Sequence, residues 1–155
     1  MEDSVFMDAA IELAKEAAEE GEVPVGCVIV RDGQVIGRGR NRREEGKNAL
    51  AHAEIEAIND ACKNLGGWRL WQCEMFVTLE PCPMCAGAII NSRLKKVTYG
   101  ASDLKAGSCQ SVINLFDLPY NHKPEIESGY RADEASELLS DFFKKLRDKK
   151  RATND

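Results

Sequence analysis

His52, Glu54, Cys82 and Cys85 are the residues whose types and spacing could do chemistry. They sit in two short segments, Ala51-His52-Ala53-Glu54 and Pro81-Cys82-Pro83-Met84-Cys85. Zinc takes Cys sulfur and His nitrogen tetrahedrally, at about 2.0–2.3 Å. Cysteines at i and i+3 across a helix start can turn to one ion, and the helix N-terminus favours the thiolate forms that bind metal. His52 would be the third ligand. Structural zinc sites usually have four protein ligands, and catalytic ones three plus water. His122 is the other histidine, and Cys62, Cys73 and Cys109 stand alone, so three ligands with an open position is the better count. Zinc lowers the pKa of bound water from about 16 towards about 7. A carboxylate at Glu54 can take that proton and return it to a substrate. Attack on an amidine-like ring carbon, protonation of the ring nitrogen and loss of ammonia then make a hydrolytic deamination. Each piece alone is ambiguous: His-x-Glu arises by chance on helices, and Cys-x-x-Cys also serves as a redox pair or half a structural zinc site. Their combination on two helix starts points to zinc-dependent deamination.

The elements that must position these residues follow from periodicity. Asp3 or Ser4 caps a first helix that runs to about Glu20 and stops at Gly21, with Phe6, Ala10, Leu13 and Ala17 on its buried face. Val23 to Val30 is apolar at nearly every position and reads as a strand covered on both faces. Asp32-Gly33 is a two-residue hairpin signal, Gln34 to about Arg40 the returning strand, and Asn41 its exit. A second helix begins near His52, with Ile55, Ile58, Cys62 and Leu65 expected towards the core. Met75 to Leu79 is a strand broken by Glu80-Pro81. Pro83 suits the first position of a third helix. Strands follow at Lys96 to Gly100 and within Pro124 to Tyr130, with a short helical turn expected within Ser111 to Phe116. Asp133 caps a last helix to about residue 150, with Ala135, Leu138 or Leu139, Phe142 and Leu146 as its stripe, and a frayed tail at 151–155. Strand–helix–strand crossovers are right-handed, so the second and third helices should lie side by side with their N-termini at one sheet edge. That would bring His52 to the Cys pair.

The totals bound the function class. At 155 residues with 43% hydrophobic residues, the chain is expected to form a single domain, 1–155, around one core. No apolar run approaches a membrane span, and the acidic start does not read as a secretion signal, so a cytoplasmic location is expected. Metal binding or burial then explains the six cysteines better than a disulfide framework. The net charge of −5 argues against a generic nucleic-acid binder. Its distribution is uneven: residues 1–22 carry eight acids against Lys15, while residues 141–151 carry six bases against two acids. Arg38, Arg40, Arg42, Arg43 and Lys47 form a second basic cluster leading into the His motif.

The two motifs match the H-x-E…P-C-x-x-C signature of zinc nucleobase deaminases. From about Phe6 to Arg147 the chain resembles the bacterial tRNA-specific adenosine deaminases. The telling blocks are Gly26 to Val30, Ala51 to Ala57, Trp68-Arg69-Leu70, Thr78 to Ile89, Gly100 to Lys105 and Ser140 to Phe143. The resemblance implies an α/β, three-layer, cytidine-deaminase-like fold with a five-stranded mixed sheet between helices. It implies a homodimer that converts the wobble adenosine of a tRNA anticodon stem-loop, mainly in an arginine tRNA, to inosine. It also implies one zinc per chain on His52, Cys82 and Cys85, with Glu54 as proton shuttle. Asn41 would contact the flipped base, Asp103 and Lys105 the neighbouring nucleotides, and Asn121 and Arg147 the RNA surface. Two positions depart from the family pattern: Gln110 replaces a small residue, and Pro124 replaces an ordinary apolar one. A loop base is already partly unstacked, which makes extrusion easier than from a duplex. The alternatives are a small-molecule deaminase of guanine or cytosine type, and a non-catalytic zinc protein that binds RNA. The Asp103–Lys105 loop and the basic last helix weigh against the first, and Glu54 against the second.

Overall fold

A computed structural model of the chain describes residues 2–154. The elements follow in the order α1 (Glu2–Glu19), β1 (Gly26–Arg31), β2 (Gln34–Arg40), α2 (Ala53–Leu65), β3 (Glu74–Leu79), α3 (Pro83–Asn91) and β4 (Lys96–Ala101). A 3₁₀ turn (Leu115–Asp117), β5 (Glu125–Glu127) and α4 (Ala132–Asn154) complete them. The strands form one mixed sheet in the order β2-β1-β3-β4-β5. β1 is antiparallel to both β2 and β3, whereas β3, β4 and β5 run parallel.

Alternate residues of the central strands feed two cores. Cys27, Ile29, Met75, Val77, Val97 and Tyr99 pack with residues of α2 and α3. Val28, Val30 and Phe76 face the other way, onto Met7, Ala10 and Ile11 of α1, with Leu138 of α4 against them. The sheet is therefore the middle of three layers, as expected. The Asp32-Gly33 hairpin is also as expected: both residues have positive φ, at 50° and 76°, so the turn twists with the strands.

Because β1 runs against both neighbours, β2 and β3 point the same way. The crossovers β2–α2–β3 and β3–α3–β4 then start their helices at one sheet edge. The N-terminal end of β1 lies at that edge too.

Several details differ from the sequence reading. The strand expected from Val23 begins at Gly26; Pro24 has no N–H to donate, and Val25 instead closes a tight turn onto the Val23 carbonyl at 2.9 Å. The buried face of α2 is Ala53, Glu54, Ala57, Ile58 and Ala61, while Ile55, Cys62 and Leu65 are half-buried at its flanks. The cause lies in β2. A Cβ on Gly39 would sit 2.2 Å from the Ala53 carbonyl oxygen, and one on Gly37 2.5 Å from that of Ala57. Helix and strand approach backbone to backbone, so only small side chains fit between them. The short turn comes at Leu115–Asp117, capped by the Asn114 side chain, rather than from Ser111. At the other end, α4 continues through 151–154 where a frayed tail was expected; Asp155 lies outside the described residues. Its stripe is buried at Ala135 and half-buried at Leu138, Leu139 and Phe142, but Leu146 is 39% exposed. The expected burial of Leu146 fails because it lines an open hollow with Glu22, Val23, Arg43 and Phe142 instead of meeting a packed layer, and residues 143–152 are all exposed.

All six cysteines are free. Among the described residues, no helix is long and apolar enough to cross a membrane. The close β2–α2 contact predicts that Gly39→Ala lowers stability by at least about 1–3 kcal/mol in urea denaturation. Gly67→Ala, where an added Cβ meets nothing within 4 Å, stays within about 0.5 kcal/mol of the parent.

Candidate active site

The shared edge carries a cavity of about 570 Å³, a size typical of small-molecule sites. Each wall comes from a different strand end. Asn41 follows β2, Glu80 and Cys82 follow β3, Ser102 to Ala106 follow β4, and Val23 and Val25 precede β1. Leu139 and Phe143 of α4 close one side.

His52 and Cys82 are the N-cap residues of α2 and α3. Neither side chain caps its helix, so both are available for other bonds. Pro83 opens α3, and Cys85 lies one turn in, fully buried. His52 Nδ1 is 3.7 Å from Cys82 Sγ and 3.6 Å from Cys85 Sγ. Tetrahedral zinc bonds of about 2.3 Å to sulfur and 2.0 Å to nitrogen separate those ligand atoms by about 3.5 Å. The three residues thus already stand at ligand spacing, within 4.8 Å of one another, and could hold a metal ion.

The charges agree with a cation there. The Cys82 thiol is pulled down to about 4 by a hydrogen bond from Cys85 and, against the effect of burial, by His52. Cys85 is pushed up because its proton is held on Cys82, with burial and the Glu54 charge adding to the effect. His52 is raised by its hydrogen bond with Cys82. Glu54, only 4% exposed in the first turn of α2, is pushed up to about 7 mainly by burial. It lines the cavity and also meets the Cys85 thiol. A thiol pair and a carboxyl crowded into one buried corner favour a divalent cation, and a carboxyl near neutrality is suited to moving a proton.

The remaining site residues are distributed unevenly. Asn41 is 7% exposed, and its Oδ1 accepts the Ala53 N–H at 2.9 Å. It therefore both fixes the start of α2 and lines the cavity. Asp103 and Lys105 line the cavity as well. The Asp103 carboxylate accepts the N–H groups of Lys105 and Ala106, which bends the loop on itself. Arg147 is exposed one turn beyond Phe143 and two beyond Leu139, on the same side of α4. Asn121 is not brought to the cavity. It is exposed beside His122, which bonds the Leu94 carbonyl at 2.7 Å near the start of β4, at the opposite sheet edge. Gln110 accepts the Tyr99 hydroxyl at 2.6 Å, and Pro124 is buried just before β5.

Sequence reasoning passed over Val23, Val25 and Glu80 on the cavity wall, and Arg43, also on that wall, figured only as one member of a basic cluster. The valines read as strand. Glu80 carried one usable signal, a carboxylate between an apolar strand and a proline, where burial calls for partners. Its carboxyl is raised by burial but lowered further by hydrogen bonds from Ser111 and from the Asp103 and Gln110 amides, with a lowered net result.

The chain is similar to known proteins. The sequence profile of the MafB19-like deaminases matches residues 1–147. A tRNA-specific adenosine deaminase of Bacillus subtilis (strain 168) is 47% identical over 152 residues, covering 97% of this chain and 94% of its own. One of Aquifex aeolicus (strain VF5) is 50% identical over 143 residues, covering 92% and 94%. A solved structure from studies of A-to-I editing by tRNA:A34 deaminases superimposes with a TM-score of 0.86 at 44% identity, over 88% of this chain and 99% of that one. The His–Cys–Cys corner, the carboxyl beside it and the five-stranded sheet that assembles them, taken with these likenesses over nearly the whole length, place the chain in the family of tRNA-specific adenosine deaminases.

Proposed function

We propose that this chain, as one domain over 1–155, hydrolytically deaminates the wobble adenosine of a tRNA anticodon to inosine, with an arginine tRNA as its main substrate and the cytoplasm as its location. The observation that carries the reading is the buried Glu54 beside three residues at zinc-ligand spacing, inside a cavity open to a basic rim. His52, Cys82 and Cys85 would hold one zinc, which supplies an activated water when bound. Glu54 takes one proton from the water and gives it to the ring nitrogen, then carries the proton of the new C6 hydroxyl to the exocyclic amine, which leaves C6 as a carbonyl. Water adds at C6 of the purine, the C6–N bond breaks, and ammonia leaves.

The other residues bind and orient. Asn41 is held by the Ala53 N–H and presents its amide to the base. The valines and Leu79 give an apolar slot that limits bulk water. Asp103, Lys105 and Arg43 stand where nucleotides next to an extruded base would lie. Arg147 extends the line of Leu139 and Phe143 and would meet the phosphate backbone. Asn121, at the far edge, would meet RNA only beyond the cavity.

The homodimer belongs to the same reading. α3 carries Gly87 at its middle, where an added Cβ meets nothing within 4 Å. Glycine inside a helix costs about 1 kcal/mol relative to alanine, so its use on an open face suits close approach of a second chain. The 3₁₀ turn that packs on α3 is flanked by exposed Val112, Ile113 and Leu118. Arg93, just past α3, lies over exposed Trp68.

Two experiments check these assignments. Incubated with an anticodon stem-loop bearing a wobble adenosine, the protein forms inosine. Glu54→Ala keeps about one zinc per chain and loses turnover by roughly 10²–10⁴-fold, whereas Cys85→Ala loses both. Turnover of free guanine or cytidine with the RNA left unchanged would sink the tRNA reading, and full activity in Glu54→Ala would remove its role. Sedimentation of the parent gives a dimer that Gly87→Trp shifts to monomer; a monomeric parent at micromolar concentration would overturn the interface.

A further inference from the structure

Two glutamates line the cavity, and their surroundings differ sharply. Glu54 is buried beside His52, Cys82 and Cys85, with the Cys85 thiol against it. Glu80 is 2% exposed and surrounded by donors. Its Oε1 accepts the Asp103 N–H at 3.1 Å and the Ser111 hydroxyl. Its Oε2 accepts the N–H groups of Cys109 at 3.2 Å, Gln110 at 2.9 Å and Ser111 at 2.9 Å. A carboxylate offers about four lone-pair sites. Five donors leave Glu80 no free acceptor with which to take a proton from a substrate or water.

The five donors come from both ends of one loop. Asp103 stands at its beginning, two residues after β4, and Cys109 to Ser111 close it. Between them, Gly107 packs directly on the carboxylate: an added Cβ would lie 2.4 Å from Glu80 Cδ and 2.5 Å from Oε1. The base of the loop is fixed to the metal side by a second tie, in which the Ser108 N–H donates to the Pro81 carbonyl at 2.8 Å. Pro81 is the residue between Glu80 and Cys82. The segment that delivers the first cysteine therefore also holds the loop carrying Asp103 and Lys105.

We infer that Glu80 is a positioning residue for substrate: its buried carboxylate clamps both ends of the 103–111 loop and so sets where Asp103 and Lys105 stand relative to the metal corner. The clamp acts on how the RNA is gripped, while the proton chemistry stays with Glu54. This rests on the tRNA reading above for the identity of what is gripped; the clamping of the loop itself does not depend on it.

Glu80→Gln separates the two sides of the clamp. The amide oxygen can still serve the three N–H groups of 109–111. The new NH2 then faces the Asp103 N–H, which can only donate, while the Ser111 hydroxyl can turn and accept. The bond to Asp103 is lost selectively. In the zinc-loaded full chain, amide hydrogen exchange without RNA is expected to quicken at Asp103 to Ala106 by about tenfold or more, the scale of one charge-assisted hydrogen bond, with α2 and α3 unchanged. With the anticodon stem-loop, KM is expected to rise about tenfold at a kcat within about threefold of the parent, with zinc content unchanged. Ser111→Ala, which removes only the hydroxyl, is a milder variant that keeps every amide donor; should Glu80→Gln fail to fold, the same pattern at smaller amplitude is expected from it. Unaltered exchange at 103–106, or a fall in kcat at constant KM, would overturn the inference. If the parent made no inosine at all, the tRNA reading would fail, while the exchange result would still decide the clamp.

Discussion

Direction is the constraint on which the site depends. β1 runs against both β2 and β3, so β2, β3, β4 and β5 all end at the same edge of the sheet. Right-handed crossovers then place the starts of α2 and α3 side by side on one face. His52 and Cys82, separated by thirty positions in sequence, become neighbours because each is the N-cap residue of its helix. The sulfur–nitrogen separations of 3.6 and 3.7 Å follow from that alignment. They are kept by the close contact of α2 on the glycines of β2, which leaves the helix little freedom to shift.

The same edge collects charge of both kinds and sorts it by depth. At the bottom are the thiols, Glu54 and Glu80, all desolvated and all tied to partners or to one another. Near the mouth are Arg43 and Lys105, and beyond them the exposed basic end of α4. α1 carries six acids against Lys15 and packs on the opposite sheet face from α2 and α3. A chain of net charge −5 can thus still offer a basic approach to its cavity, because fields from exposed charges are screened within about 8–10 Å.

Much of this was legible in the sequence, and the reasons are physical. The meeting of His52 with Cys82 and Cys85 could be read because metal-ligand chemistry restricts residue type and the two motifs mark helix starts. The hairpin at Asp32-Gly33 could be read because positive φ restricts residue choice. What escaped was set by tertiary contact. Cys62 and Leu65 do pack against the core, but from its margin, and Ile55 does not, because the glycines of β2 turn the alanine side of α2 inward. Val23 and Val25 are apolar enough for a strand, but Pro24 removes a donor and leaves them as cavity wall. The burial of Glu80 is invisible to periodicity, since its five donors are mostly main-chain groups more than twenty residues away. Leu146 keeps the stripe of α4 in sequence but faces an open hollow beside Glu22, Val23 and Arg43.

The loop after β4 has a consequence for how the chain can vary. A surface connection ordinarily absorbs added residues at small entropic cost, because its interior touches little. This one is closed at both ends on a single carboxylate, with Gly107 pressed against it between the ends. One residue inserted between Asp103 and Cys109 would have to bulge outward or release an anchored amide. Loop length here is a quantity as restricted as the identity of a ligand. Relatives that differ in the composition of this loop can keep the clamp, whereas a change in its residue count would require a different way of fixing it.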